Sequence, residues 1–150
     1  MTSDTATLRV LSHAITEQYV YQCLIAMKAE YPEGRHWTNA DYYEWKGYSP
    51  ENGVIWGGGY GCAGFAFLMS DAAFGDLPSR YIDVDFSQVR VGDVLRVNND
   101  SHSVIVLEKY SGYIVIAEGN YNSSIHWGRT MSASEVNNST YIITRYPEGS

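Results

Sequence analysis

Cysteine is scarce: Cys23 and Cys62 are the only two in 150 residues, too few for a disulfide scaffold. Basic residues are scarce as well. Ten Lys and Arg against 17 Asp and Glu leave a net charge of −7, which disfavours nucleic acid and anionic membranes, since both reward basic surfaces. No apolar run approaches the length of a membrane-crossing helix, so no transmembrane segment is expected. The start "MTSDTATLRVLSHAITEQ" lacks the basic residues and apolar block of a signal peptide. The chain therefore reads either as cytoplasmic or as a domain of a longer chain, secreted or cell-wall associated. The four histidines are scattered without CxxC or HxxxH spacing, so neither a metal site nor a cofactor is expected.

What remains is an ordinary globular composition, 45% apolar and 18% charged, long enough for one domain with a sizeable core. From Thr16, a good N-cap, the residues Tyr19, Val20, Cys23, Leu24, Met27 and Tyr31 recur on one helical face, and Pro32 and Gly34 end the helix. Cys23 lies on that apolar stripe as a small buried hydrophobe rather than a partner for Cys62. "TNADYYEWKG" reads as a short helix from about Asn39 to Gly47. Cys62 to Phe74 reads as a helix with Phe65, Leu68, Met69 and Ala72 on one side and a stop at Gly75. Gly64 inside it costs about 1 kcal/mol of propensity, which implies close packing on a neighbour, most simply a sheet.

The second half alternates as strands do: "VRVGDVLRV" with a Gly-Asp turn at its entry, then "HSVIVLEKY", "YIVIAEGNY", "SIHWGRTMS" and "TYIITRYP", with one helical turn in "SASEVNNS". Helices first and antiparallel strands after define an α+β domain, N-terminal helices packed on a twisted antiparallel sheet.

The run "IWGGGYGCAGFAFLMSDAAFG" places Cys62 between four glycines and a helix start. No Gly-Lys-Ser/Thr follows, so this is not a phosphate loop. A thiol at a helix start is favoured as thiolate by the dipole and by free N–H groups, and the same groups can stabilise an oxyanion. Such a nucleophile needs a base, and the base needs an orienting partner. His102 opens a strand after the polar loop "NNDS". If "KYSGY" turns as a three-residue hairpin loop with Gly112 left-handed, Lys109 pairs with Tyr113, Val104 lies opposite Glu118, and His102 opposite Asn120. A two-residue loop at Ser111-Gly112 would turn Glu118 to the other face. Taken singly, each of these residues has an ordinary reading. Together, a helix-start cysteine, a strand-start histidine and a polar pair on the next strand resemble the layout of a papain-like thiol enzyme.

The resemblance extends to families. "GYGCAGFAFLM" resembles the nucleophile motif of the NlpC-type cell-wall peptidases, with Gly61 where their pattern has Asp, and "VRVGDVLRV" with "SHSVIVLE" resembles their Gly-Asp and histidine strands. "AEGNYN" resembles the Glu-x-Asn-x-Asn stretch of CHAP domains, the cysteine, histidine-dependent amidohydrolases/peptidases. The likeness spans about Gly59 to Asn122. It implies a papain-like hydrolase acting on peptide or peptidoglycan, with Cys62 as nucleophile and His102 as base and then acid. It further implies Glu118 as orienter, with Asn120 as a second contact or the alternative third member. The Cys62 N–H is expected in the oxyanion hole, with a second donor from Tyr60 or the N-terminal half. Trp56, Tyr60 and Trp127 are candidates for lining the cleft, and His126 is an outside candidate. His13 and His36 are expected to be incidental. A protein-directed protease or acyltransferase, and an inactive binding module, are the alternatives.

Overall fold

The computed structural model describes residues 15–150 and is a mixed α+β domain. His13 lies outside the described residues. Helix α1 (Glu17–Ala26) starts where expected, with the Thr16 hydroxyl accepting from the Tyr19 N–H at 3.1 Å, and it buries Val20 and Leu24. It ends earlier than its periodicity suggests, passing into one 3₁₀ turn at Met27–Ala29. The stretch expected as a helix from Asn39 is instead a strand, β1 (Tyr42–Glu44), paired antiparallel with β2 (Gly58–Tyr60). The cause is local. A Thr38–Asp41 turn, closed by the Asp41 carboxylate on the Thr38 N–H at 2.8 Å, uses up the polar residues. The aromatic run that follows suits a half-buried strand better than a helix.

Helix α2 (Gly61–Phe74) is buried on nearly all sides, so it shows little amphipathic character. Phe65, Ala66 and Met69 join the core beneath it, while Phe67 stacks on Trp45 at 4.1 Å in a second cluster. Ala73, not the expected Ala72, takes the buried position near its end. Gly64 does permit a close approach, to the backbone carbonyl of Gly59 in the small sheet.

The main sheet is antiparallel in the order β3 (Arg80–Ile82), β8 (Tyr141–Thr144), β4 (Val94–Val97), β5 (His102–Lys109), β6 (Tyr113–Tyr121), β7 (Ser124–Ser132). The short edge strand β3 was not legible in the sequence. One face carries Val94, Ile105, Ala117 and Trp127 against α1 and α2. The other carries Leu95, Val104, Val106, Ile114, Ile116 and Ile142, closed by Phe86 and by Val136 of helix α3 (Ala133–Asn137), whose Ser132–Glu135 capping box was foreshadowed by "SASE". The alternation is the ordinary two-residue period of strands buried on both faces.

Of the sheet's three register shifts, two bear on that period near the site. The β5–β6 turn is the tight one at Ser111-Gly112: the Tyr110 N–H donates to the Tyr113 carbonyl at 2.9 Å, and Lys109 pairs with Ile114 rather than Tyr113. Gly112 is not left-handed, so the three-residue loop is not formed. A bulge between Val106 and Glu108 then adds one residue to β5 and restores Ile105 opposite Ala117. Glu118, next after Ala117, then lies on the side of His102, which it meets at 2.8 Å, and so returns to the expected face by a different route. In β7, Gly128, at φ +107, is skipped between the pairs Ile116–Arg129 and Ala117–Trp127.

Gly64→Ala weighs two terms of opposite sign. Helix propensity gains about 1 kcal/mol, but the new methyl meets a backbone carbonyl that cannot move aside, a strain of about 1–3 kcal/mol. Thermal unfolding is expected to show net destabilisation; a raised melting temperature would show that α2 and β2 are not held together there.

Candidate active site

The start of α2 is shaped by Gly61. Its φ of +60° is left-handed, and a Cβ there would collide with the Asn39 side-chain oxygen. Its N–H donates to the Asp41 carbonyl at 2.9 Å, and its own carbonyl accepts the Trp37 indole N–H at 2.8 Å. The left-handed backbone and the overlying Asn39 side chain together favour glycine at this position. The chain turns here and delivers Cys62 to the first helical turn, where backbone N–H groups have no partner within the helix.

Cys62 is free, as is Cys23, and nearly buried. Burial works to raise the thiol. The neighbouring His102 ring and Ser103 N–H, with the charges of His102 and Arg96, outweigh it and hold the thiol below its ordinary 9.0. Burial likewise opposes the charged form of His102. The Cys62 and Glu118 bonds overcome it and lift the imidazole to about 9. His102 gives Nε2 to Glu118 Oε1 at 2.8 Å, which leaves Nδ1 for the thiol. Across neutral pH both shifts favour thiolate beside imidazolium.

Glu118 has no solvent exposure, and its environment is the least expected part of the site. Arg129 reaches it twice, Nε to Oε2 and Nη2 to Oε1, each at 2.8 Å. Burial would raise the carboxyl. The paired guanidinium and His102 bring it down to about 2. Arg129 was not anticipated from the sequence. The signal available was the lone cation in "HWGRT", which becomes meaningful once one asks what neutralises a buried glutamate. The Gly128 bulge is what puts Arg129 on this face while Trp127 stays on the other.

Asn120 does not touch His102. Held at φ +55°, it donates Nδ2 to Asn39 Oδ1 at 2.9 Å and so braces the residue that packs on Gly61. Glu118 is therefore the orienting partner of His102. A cleft of about 490 Å³ opens over the group, lined by Asn39, Cys62, His102, Asn120, Tyr121 and Arg129 among others. Its rims are two turns of left-handed polar residues, Asn98–Asp100 and the turn holding Asn120, Asn122 and Ser123. Strained backbone of this kind concentrates at functional sites.

Of the residues expected to line the cleft, Trp127 is displaced. It is buried in the core, its indole N–H donated to the Tyr31 carbonyl at 2.8 Å, because the bulge turns it away from Glu118. Neither Tyr60 nor Trp56 lines this cleft; Tyr60 is 63% exposed and packs on Tyr42. Trp56 is also exposed, stacked on Tyr141 and bonded to the Tyr81 hydroxyl at 3.2 Å. His126 gives Nδ1 to Glu33 at 2.8 Å and stacks on Tyr121 behind the cleft wall, and His36 forms only an isolated bridge with Ser124. The chain matches no family model, no curated protein and no solved structure.

The depressed carboxyl of Glu118 contributes stability that is complete above its ordinary 4.5 and is lost as pH falls toward about 2. Arg129→Met removes the main cause of that depression and moves the loss to higher pH. At neutral pH the variant is expected to lose about 2 kcal/mol, less than the ~3–5 kcal/mol of a fully buried pair, because 30% of the Arg129 side chain is exposed. Acid unfolding followed by circular dichroism checks both; an unchanged acid midpoint would mean that Arg129 does not hold Glu118.

Proposed function

We propose that the chain is a papain-like cysteine hydrolase that cleaves an amide bond through a thioester intermediate. The observation that carries this reading is the bonded series His102–Glu118–Arg129, running from the buried carboxylate to a cleft that His102 shares with the Cys62 thiol. A binding module that had lost its chemistry has no use for a buried carboxylate that keeps a histidine charged beside a thiol. The resemblance of the Cys62 and His102 motifs to the NlpC and CHAP families directs the activity toward bacterial cell-wall peptide.

The Cys62 thiolate attacks the amide carbonyl carbon, and the carbonyl oxygen takes the negative charge. The Cys62 N–H donates to that oxygen. Asn39 supplies the second donor, since Asn120 occupies its Oδ1 and leaves its Nδ2 on the cleft. The carbon–nitrogen bond then breaks as His102 passes its proton to the leaving amine. Neutral His102 next takes a proton from water, the hydroxide attacks the thioester, and the acid departs with the thiolate restored. Glu118 keeps the imidazole oriented and balances its charge through both steps.

Incubation with purified sacculi and, separately, with denatured protein, scored by newly released amino groups, tests the proposal. Cys62→Ala is expected to release none, and Glu118→Gln to lose about 10²–10⁴-fold. The rate should rise with pH as Cys62 ionises below 9.0 and fall as His102 loses its proton near about 9. Release by Cys62→Ala equal to wild type, or no release from either substrate, would end this reading.

A further inference from the structure

Among the described residues, strand β2 has a partner on one side only. The Trp45 N–H donates to the Gly57 carbonyl and the Gly61 N–H to the Asp41 carbonyl, so odd-numbered residues of β2 face β1. By antiparallel alternation, the N–H and carbonyl of Gly58 and the N–H of Tyr60 point to the free edge. Close packing on its faces holds this strand to glycine. A Cβ at Gly58 would collide with the Tyr42 hydroxyl, and one at Gly59 would press on Ala63 of α2. Trp56 precedes the strand by two residues, and Cys62 follows it by two.

At the Trp56 end stands an interlocked aromatic cluster. Trp56 stacks on Tyr141 with centroids 6.4 Å apart, and Tyr81 meets Tyr141 edge-on at 5.5 Å. Trp56 and Tyr81 remain 40% and 39% exposed. The sheet beneath supplies a scale. Tyr141 is opposite Arg96, and Arg96 is opposite Ser103, whose N–H lies near enough to the Cys62 sulfur to favour its thiolate. Two strand spacings span about 10 Å, the reach of about three extended residues. Burial raises the Tyr141 hydroxyl to about 12, and the charge of the Cys62 thiolate adds to the rise, as expected for a ring within electrostatic reach of the thiol.

We infer that the free edge of β2 and the Trp56–Tyr81–Tyr141 cluster form the acyl-side substrate site. It takes an extended peptide as an added strand, with an aromatic or large apolar side chain two or three residues before the scissile bond. The inference rests on Cys62 being the nucleophile. It shifts emphasis within that reading toward peptides bearing such side chains.

Chloromethyl ketones test it on the whole protein, because the thiolate displaces chloride without the rest of the catalytic cycle. The probes are acetyl-triglycine chloromethyl ketone, its variants with phenylalanine at each position, N-methylated versions of the best, and N-acetylmuramoyl-alanine chloromethyl ketone. Labelling of Cys62 is read by peptide mass spectrometry, with iodoacetamide as reference on wild type. Phenylalanine two or three residues before the ketone should speed labelling at least about tenfold over triglycine, and N-methylation of one backbone amide should remove about tenfold. Trp56→Ala, and Tyr81→Leu as a second variant, should lose the preference for phenylalanine. Equal rates for phenylalanine and triglycine, a preference that survives every N-methylation, or faster labelling by the muramoyl probe would each overturn it. If iodoacetamide still labels Cys62 rapidly in mild acid, those failures belong to the subsite alone. An ordinary iodoacetamide profile would remove the nucleophile on which the subsite depends.

Discussion

A carboxylate with no access to water must be neutralised where it stands, and Glu118 is that carboxylate. Left alone in the core it would take up a proton, and His102 would lose its charged partner. Arg129 prevents this with a bidentate pair, and the His102 ring takes up the remaining contact. The charge fixed in the core is transmitted outward, to the imidazole and from there to the thiol. Gly119, between Glu118 and Asn120, lies hard against Phe65 and Trp37, so the same strand end is also fastened to α2 and to the segment before β1. The chemistry at the cleft and the packing beneath it share their anchor.

Three irregularities make that arrangement possible. The Leu107 bulge compensates a turn that would otherwise face Glu118 away from His102. The Gly128 bulge separates Trp127 from Arg129, giving one to the core and the other to the carboxylate. The left-handed Gly61 turns the chain so that Cys62 enters the first turn of its helix against Asn39. Each departs from regular secondary structure by a single residue, and each serves the same cluster of side chains.

This explains what could be read from the chain alone. Runs of β-branched and other apolar residues mark β5 and β6, because both faces of the sheet are buried there and such strands read as near-continuous apolar stretches. The capping signals at Thr16 and Ser132 are local and legible for that reason. Placing Cys62, His102 and Glu118 together required only a helix start and one hairpin register. Glu118 meets His102 as expected although the Lys109–Tyr113 pair and its turn do not form, since the bulge that compensates is a tertiary adjustment with no strong sequence mark. Arg129 escaped notice for the same cause: without the skipped Gly128, it and Trp127 would share a face. Strand β1 was mistaken for a helix because its aromatic residues are sorted by packing, Tyr43 to Asp71 and Tyr42 to Tyr60, and not by any local period.

The central claim is that Cys62 is a thiolate because of His102. Iodoacetamide alkylation of Cys62 across pH, in wild type and in His102→Ala, measures this directly, with Cys23 in the same molecule as the internal reference. Rapid alkylation of Cys62 well below the ordinary thiol value, lost in His102→Ala, is the expected result. A Cys62 profile like that of an ordinary thiol, or one indifferent to His102, would contradict the ion pair and the hydrolase built on it.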